Sequence, residues 1–313
     1  MLRTLPALLL LLAACSTTVA TQPPAASPSS RSSPTAITIP VATPPPAAAT
    51  PLPTTPRFTL HCNLPVEDRA GGSGFLTFPG GDFSAAGTPP ASIPEIGGYY
   101  TQTYDWPYSK WLPVGPTDIS PDGSKYAYQG NDRVLKVVDV VTGTVTPIPA
   151  SIGWNLIGTE NDGVYAHTFL GRTGLWFLRY AGGDPIQVSP AGYSYLAVGG
   201  GHAYASVGKD DQTLLEVDLH TGAAMKFADP PAQILGFDNS GVPVVRLASS
   251  LVVMAAPYQQ KVVFPDQAPL GFVVGDRNGI WFPLADGIYL ATPDGKVTQM
   301  SGQPGGLVEG TCK

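Results

Sequence analysis

The side chains that most often carry chemistry are sparse in this chain, and their spacing matches no catalytic or metal-binding pattern. No two of the four histidines have the spacing of a metal-ligand pair: His61, His167, His202 and His220. Neither Cys-x-x-Cys nor Gly-x-Ser-x-Gly occurs. The Asp-rich turns lack the Asp-x-Asp-x-Asp-Gly spacing of a calcium loop, and Asp or Asn before Gly is what tight hairpins require. The sequence therefore predicts no catalytic residue, no metal site and no cofactor.

The elements that would position any site are separated by turns, which recur in two interleaved series with a period of about 40 residues. The first series places glycines at Gly81, Gly123, Gly163, Gly201, Gly241 and Gly279. The second series ends at Gly143, Gly183, Gly222, Gln260 and Gly295. Two turns per period give two hairpins and four strands, and radially repeated four-stranded units are the blades of a β-propeller. The sequence thus predicts an all-β, six-bladed propeller, with five or seven blades as open alternatives.

The second repeat shows the predicted strand pattern best. Its four strands are expected near Pro116–Ile119, Lys125–Gln129, Val134–Val140 and Thr144–Ile148. Its third strand recurs in later repeats as Leu175–Leu178, Leu214–Val217, Leu251–Met254 and Ile288–Leu290. The first unit, Gly74–Gly115, is the least regular, and its second hairpin is expected around Tyr104–Pro107.

The second repeat also carries a family resemblance. The segment Asp118–Tyr128 contains the turn Ser-Pro-Asp-Gly, and Val137-Val138-Asp139 and Thr142-Gly143 follow it. This pattern resembles the TolB-type, WD40-like propeller repeat of bacteria. The resemblance implies the fold, and because that family shares no catalytic residues, it implies no site.

The first fifteen residues have the pattern of an export signal. Arg3 precedes an apolar run that is too short to span a bilayer, since a transmembrane helix needs roughly 20 residues. The end of this run, Leu-Ala-Ala-Cys, resembles a bacterial lipobox, which implies that residues 1–14 are removed and that Cys15 is acylated. The alternative is a plain secretory signal with an incidental cysteine. We expect a lipid-anchored protein on the extracytoplasmic side of the cell membrane.

A linker separates this anchor from the folded part. Residues 16–57 contain 11 prolines among Ser, Thr and Ala, with Arg31 and Arg57 as the only charges. Such a composition buries too little apolar surface to offset chain entropy. We therefore expect a disordered Pro-rich linker over 15–57, including the lipidated cysteine, and a propeller domain over 58–313.

The two remaining cysteines, Cys62 and Cys312, lie near the ends of the propeller domain. A closed propeller brings its first and last blades together, and an oxidising compartment lets two such cysteines pair. We expect a Cys62–Cys312 disulfide, and the alternative is two free buried thiols.

The candidate binding face consists of the loops between second and third strands and the segments that lead into first strands. Charged groups beside aromatic rings there suit a peptide or a sugar. The candidates are Asp132, Arg133, Trp154, Arg172, Tyr193, Tyr195, Lys209, Asp210, Asp211 and Asp286. The alternative is a solvated rim with core aromatics.

Charge and composition narrow the function. The chain has a net charge of −6 and no Lys/Arg-rich block, which excludes the cationic surface that nucleic-acid binding needs. We expect a monomeric, non-catalytic binding or scaffolding module of the cell envelope, with an unidentified protein or glycan partner. One alternative is an extracytoplasmic hydrolase or lyase with its site at the mouth of the central channel. Another is a structural propeller within a larger complex.

Overall fold

The computed structural model describes residues 59–68, 71–86, 102–168, 173–208, 213–229, 232–247, 250–256, 259–264, 269, 271–302 and 306–313. The signal segment, Cys15, the linker, Arg172, Lys209, Asp210 and Asp211 lie outside these residues. Within the described part, no helix is long and apolar enough to cross a membrane.

The described chain is all-β apart from one 3-10 turn at Pro116–Asp118. Its first twelve strands are β1 (Cys62–Glu67), β2 (Ser73–Phe78), β3 (Asp82–Ala85), β4 (Thr103–Asp105), β5 (Lys110–Leu112), β6 (Lys125–Gln129), β7 (Leu135–Asp139), β8 (Val145–Pro147), β9 (Trp154–Thr159), β10 (Gly163–Thr168), β11 (Leu175–Arg179) and β12 (Ile186–Ser189). The remaining strands are β13 (Ser194–Gly199), β14 (His202–Val207), β15 (Thr213–Asp218), β16 (Ala224–Ala228), β17 (Ala232–Phe237), β18 (Pro243–Leu247), β19 (Ser250–Ala256), β20 (Gln259–Phe264), β21 (Val274–Asp276), β22 (Gly279–Leu284), β23 (Gly287–Ala291), β24 (Val297–Ser301) and β25 (Leu307–Val308).

These strands form antiparallel sheets of neighbouring strands in chain order. Four-stranded sheets contain β9–β12, β13–β16, β17–β20 and β21–β24, and a fifth has the order β25-β1-β2-β3. Strands β6–β8 form a three-stranded sheet, which an isolated bridge from Ile119 to Tyr126 extends, and β4–β5 form a hairpin. The described residues thus contain seven sheets, five of them four-stranded, so the count of six blades stays a prediction.

The sheets are arranged as propeller blades. Strand β9 contacts β13, β13 contacts β17 and β17 contacts β21, and all four are the first strands of their sheets. Core clusters form where consecutive sheets pack face to face: Val137 meets Trp154 and Val164, for example, and Leu235 meets Phe282. Packing between neighbouring sheets on both faces explains why the second and third strands of a sheet, such as β14 and β15, are nearly continuous apolar runs. The predicted propeller fold is confirmed.

The turns agree with the predicted period in most repeats. In the second series, the Asp139 carboxylate accepts hydrogen bonds from the Thr142 N–H (2.8 Å) and hydroxyl (2.9 Å). Asp218 binds Thr221 in the same way, at 2.7 and 2.9 Å. The aspartates in these turns therefore satisfy backbone donors.

Three local expectations are wrong. The predicted strand near Pro116–Ile119 is a 3-10 turn with only Ile119 in a bridge, because Pro116 has no N–H and starts the turn. Gln259 and Gln260 lie in β20 rather than in a turn. Spacing assigns the turn at Pro79–Asp82 to the first series, with the turns that join first and second strands. It instead joins β2 and β3, which are the third and fourth strands of the sheet β25-β1-β2-β3.

The two ends of the propeller domain are joined. Strand β25 pairs with β1, and the Asn63 N–H donates to the Lys313 carbonyl at 2.8 Å. The predicted disulfide is confirmed: Cys62 and Cys312 are bonded, with Cα atoms 5.5 Å apart. Asp276 supports this junction, since its buried Oδ2 accepts the Cys312 N–H and the Trp281 indole N–H, both at 2.8 Å.

Candidate functional site

A cavity of about 820 Å³ occupies the central channel of the propeller. Its wall consists of β13 and β17, the ends of β9 and β21, the 3-10 turn and the adjoining turns. These first strands bond to a neighbour on one side only, so their free edges face the channel. A ligand in the channel would therefore meet backbone groups as well as side chains.

Glycine is repeated in the channel wall because neighbouring first strands approach closely. A Cβ atom on Gly199 of β13 would lie 2.6 Å from the Phe237 ring of β17. A Cβ atom on Gly275 of β21 would lie 2.3 Å from the Asp238 Cα. The corresponding wall positions in β9 and β17 are also glycines, Gly158 and Gly236. The absence of side chains at these positions keeps the wall tight and the channel open.

The wall is anionic. Three carboxyl residues line it, Asp118, Glu160 and Asp238, and no Lys, Arg or His of the described chain does. Asp238 has a structural role, because its Oδ1 accepts the N–H groups of Ser240 (2.8 Å) and Val242 (2.9 Å). The Asp118 carboxyl accepts one backbone N–H, that of Gly115, and no hydrogen bond between the Glu160 carboxyl and a turn is seen among the described residues.

Asp118 is the carboxyl of the wall whose pKa departs most from its ordinary value. Burial raises its pKa to about 7, and a hydrogen bond from the Gly115 N–H opposes that shift. The side chain is only partly accessible, because it projects from the 3-10 turn into the channel wall. Burial also raises the pKa of Glu160, and the Asp162 carboxylate adds to this. Near neutral pH the channel therefore holds ionisable groups that a bound cation would keep ionised.

The channel wall also contains one polar residue whose hydroxyl lacks a hydrogen bond and two apolar side chains that are exposed. Thr159, which is 7% exposed, lines it beside Glu160, and its buried Oγ1 has no hydrogen-bond partner. Leu196 occupies an irregularity in the pairing of β13 with β14 and is 45% exposed. Phe272 is 48% exposed. Exposed apolar side chains in a concave wall are typical of a binding site for a small organic molecule.

A smaller cavity of about 260 Å³ adjoins the channel and shares Pro116, Ile119, Phe272 and Thr311 with it. Its wall includes β4, the turn after it and the C-terminal segment. These two parts of the chain are hydrogen-bonded, since the Tyr104 N–H donates to the Glu309 carbonyl at 2.6 Å. The Trp106 indole N–H donates to the Thr311 carbonyl at 2.7 Å. This cavity therefore lies at the junction where the two ends of the domain meet.

Two buried carboxyls line the smaller cavity. Glu309 is 3% exposed and its Oε2 has no partner. Its burial, with the Glu67 charge nearby, raises its pKa to about 8, and the Gln102 N–H opposes this. Burial also raises the pKa of Asp105, whose Oδ2 is likewise unpartnered. No group of three or more His, Cys, Asp or Glu residues in the described part of the chain could hold a metal ion.

The charged candidates of the sequence analysis lie on exposed loops outside both cavities. Asp132 and Arg133 are in the β6–β7 loop, where Asp132 forms an ion pair with Lys136 at 3.3 Å. Asp286 is in the β22–β23 loop and accepts the Tyr289 hydroxyl at 2.9 Å. The Arg133 carbonyl accepts the N–H of Gly153, so the β6–β7 loop contacts the segment that leads into β9.

The aromatic candidates are in the core. Trp154 is 4% exposed and donates its indole N–H to the Ala150 carbonyl at 3.0 Å. Tyr195 is 4% exposed and donates to the Ala191 carbonyl at 2.9 Å. Tyr193 packs beside Tyr195, with ring centroids 6.1 Å apart. None of the six described candidates lines the channel, so the structure does not bring them together with Asp118.

Sequence reasoning missed the channel carboxyls. Asp118 belongs to the repeat motif and Glu160 to a turn, so both have ordinary positions in the pattern. A signal in the sequence could have located them. A glycine occurs near the end of β9, β13, β17 and β21, and these are the strands that face the channel. Residues beside those glycines, such as Thr159 and Glu160 after Gly158, are then candidates for the wall.

No family model matches the chain, and no curated protein is similar to it in sequence. Solved structures with a similar arrangement include the acylaminoacyl peptidase of Pyrococcus horikoshii, with 16% identity and a TM-score of 0.41 over 61% of this chain. The match spans only 39% of the peptidase. A TolB-type protein from Agrobacterium tumefaciens matches with 11% identity and a TM-score of 0.44, over 80% of this chain and 92% of its own length.

An oligogalacturonate lyase from Vibrio parahaemolyticus matches with 11% identity and a TM-score of 0.43, over 77% of this chain and 74% of the lyase. Proteins that resemble this chain thus include enzymes as well as a TolB-type protein. Since one fold supports many functions, the function has to be argued from the cavities of the chain itself.

Proposed function

We propose that this protein is a non-catalytic binding module of the cell envelope and that its central channel is the binding site. The supporting observation is the channel itself: about 820 Å³, walled by glycine backbone and by exposed apolar side chains, with few polar groups. Ligand sites have this volume and this mixture of a largely apolar wall with a few polar anchors.

Catalysis is the weaker alternative. The raised pKa of Asp118 suits a general acid. However, hydrolysis or elimination also needs a base or a nucleophile within reach, as in the paired carboxylates of glycosidases. Among the described residues, Asp118 owes its shift to burial and not to a second carboxylate. We therefore assign Asp118 to ligand binding.

Blocking the channel tests this function. In Leu196→Trp, the larger ring fills the channel from the irregularity in β13, whereas Ile152→Trp adds the same ring at a 70% exposed position that does not line it. Thermal-shift screening with a library of charged and uncharged fragments is run on the wild type and on both variants. We expect fragments that stabilise the wild type and Ile152→Trp but not Leu196→Trp. Fragments that stabilise all three equally, or no stabilising fragment, would overturn the proposal.

We further propose that Cys15 carries a lipid and that the linker holds the propeller away from the membrane. The proposal rests on the lipobox resemblance and on the Pro-rich composition of residues 16–57. Expressed in a bacterium, the wild type is expected in the membrane fraction and Cys15→Ser in the soluble extracytoplasmic fraction. Membrane association of Cys15→Ser equal to that of the wild type would reject the anchor.

A further inference from the structure

The charge of the channel wall restricts what the channel can hold. Asp118 and Glu160 supply carboxyls, and no basic side chain of the described residues lines the wall. An anionic ligand would bring its charge next to these carboxylates without a compensating cation, which disfavours binding. A cationic ligand would instead gain from both groups, and the low effective dielectric of a partly buried site strengthens that gain.

Apolar and unpartnered polar groups point to the rest of the ligand. Leu196 and Phe272 are roughly half exposed in the wall. Thr159, next to Glu160, lines the same wall and has a buried hydroxyl oxygen without a hydrogen-bond partner. The ligand therefore needs an apolar body and a cationic head that carries N–H donors.

We propose that the channel selects amphipathic organic cations, in which an ammonium or guanidinium head binds the Asp118 carboxylate and an apolar body contacts Leu196 and Phe272. This inference rests on the proposed binding function and specifies its ligand class. Asp118 is assigned the head group because the Asp238 Oδ1 already accepts two backbone N–H groups of its turn, whereas the Asp118 carboxyl accepts only that of Gly115 and lines the channel. Glu160 lines the same wall and contributes a further carboxyl acceptor.

A matched set of probes tests the charge requirement. 4-Phenylbutylamine, 4-phenylbutanol and 4-phenylbutyrate share one apolar body and differ in the charge of the head group. Titration calorimetry on the mature protein is done at pH 8, where Asp118, with its pKa of about 7, is mostly ionised. We expect the amine to bind at least about tenfold more tightly than the alcohol, as a hydrogen bond to a charged group predicts, and the butyrate to bind more weakly than both.

Two variants locate the head group. Asp118→Asn removes the negative charge and is expected to weaken binding of the amine about tenfold or more, while binding of the alcohol stays unchanged. Asp184→Asn removes a charge from an exposed bend outside the channel and is expected to change neither. Circular dichroism and the melting temperature show whether each variant is folded.

The outcomes separate the two proposals. If all three probes bind with similar affinity and Leu196→Trp abolishes their binding, the channel is a binding site but the cation preference is wrong. The same conclusion follows if a folded Asp118→Asn protein binds the amine as tightly as the wild type. If Leu196→Trp leaves the binding of every probe unchanged, the proposed binding function of the channel fails as well.

Discussion

Buried carboxyl groups are the unusual single residues of this protein. Asp118 lines the channel, and Asp105 and Glu309 line the adjoining cavity. Burial raises the pKa of each one, because the surrounding protein solvates a carboxylate less well than water does. In the folded state these groups therefore retain protons at pH values where they lose them in the unfolded chain, which makes stability depend on pH.

Glu309 gives the clearest test of this dependence. Its pKa is about 8 in the folded state against an ordinary 4.5, so the unfolded chain binds fewer protons between these values. The stability of the wild type should fall as the pH rises from about 5 to about 8 and then level off. Glu309→Gln keeps the shape without the charge. We expect it to stabilise the protein by about 2 kcal/mol or more at pH 8.5, and to have little effect at pH 5.

Urea unfolding at the two pH values measures this difference. Asp184→Asn serves as the control, because it removes one exposed carboxylate that lies outside both cavities. A Glu309→Gln protein that is less stable than the wild type at pH 8.5 would show that the buried carboxyl is ionised and stabilising there.

At the scale of elements, the first strands decide the shape of the channel. Glycine near the end of β9, β13, β17 and β21 lets each strand lie against the next one. A Cβ atom at these positions would lie 2.2–3.0 Å from atoms of the neighbouring blade: the Val198 side chain for Gly158, the Phe237 ring for Gly199, and backbone for Gly236 and Gly275. The repeated glycine is therefore required by the contact between blades rather than by a turn.

Gly275→Ala tests this role. The added Cβ would lie 2.3 Å from the Asp238 Cα and 2.5 Å from the Phe237 carbonyl oxygen, so β17 and β21 would have to separate. We expect a loss of about 1–3 kcal/mol of stability, as for other overpacked interiors. Gly302→Ala is the matched control, since a Cβ there meets nothing within 4 Å. Equal melting temperatures for the two variants would contradict the close contact.

The strands show which parts of the fold were predictable. The third strands were expected at Leu175–Leu178 and Leu214–Val217, and both lie within the observed β11 and β15. Local turn chemistry and apolar runs determine such strands. The predicted first unit, Gly74–Gly115, does not form one sheet. Its strands β2 and β3 belong to a sheet with β1 and the C-terminal β25, whereas β4 and β5 form a separate hairpin. The pairing of β25 with β1 joins distant segments, and no local pattern records it.

At the scale of the whole molecule, the disulfide keeps the propeller closed. It links residues separated by 250 positions, and in the chain-entropy model a loop of this length contributes about 5 kcal/mol. The same C-terminal segment carries Glu309 and Thr311, which line the cavities. Loss of the bond is therefore expected to loosen the channel as well as the junction.

Removing the disulfide tests this closure. In a Cys15→Ser background, which leaves Cys62 and Cys312 as the only cysteines, we compare the protein with its Cys62→Ser/Cys312→Ser derivative. The derivative should be less stable by about 2–5 kcal/mol, and a reductant should lower the melting temperature of the parent alone. If the reductant leaves the parent unchanged, the bond does not hold the ends together.

The candidate site was less predictable than the fold. The sequence analysis placed the binding face on loops and expected any enzymatic site at the channel mouth, whereas the cavities lie among Asp118, Glu160 and Glu309. Trp154 and Tyr195 illustrate the reason. The sequence does not distinguish an exposed aromatic residue, which could bind a ligand, from one that is buried in the core, as both of these are. Burial depends on the neighbouring blade and is therefore invisible to local pattern.

By itself, the sequence determined the strand class, the period of about 40 residues and the pairing of Cys62 with Cys312, because turn chemistry and apolar runs are local and because the two cysteines lie near the ends of a closed ring. Only the tertiary structure decided which carboxyls are buried and which strand completes the first sheet. The physical reason is that desolvation and strand closure arise where distant segments meet. The altered pKa of Asp118 and the contact of β25 with β1 exist only once the ring has closed.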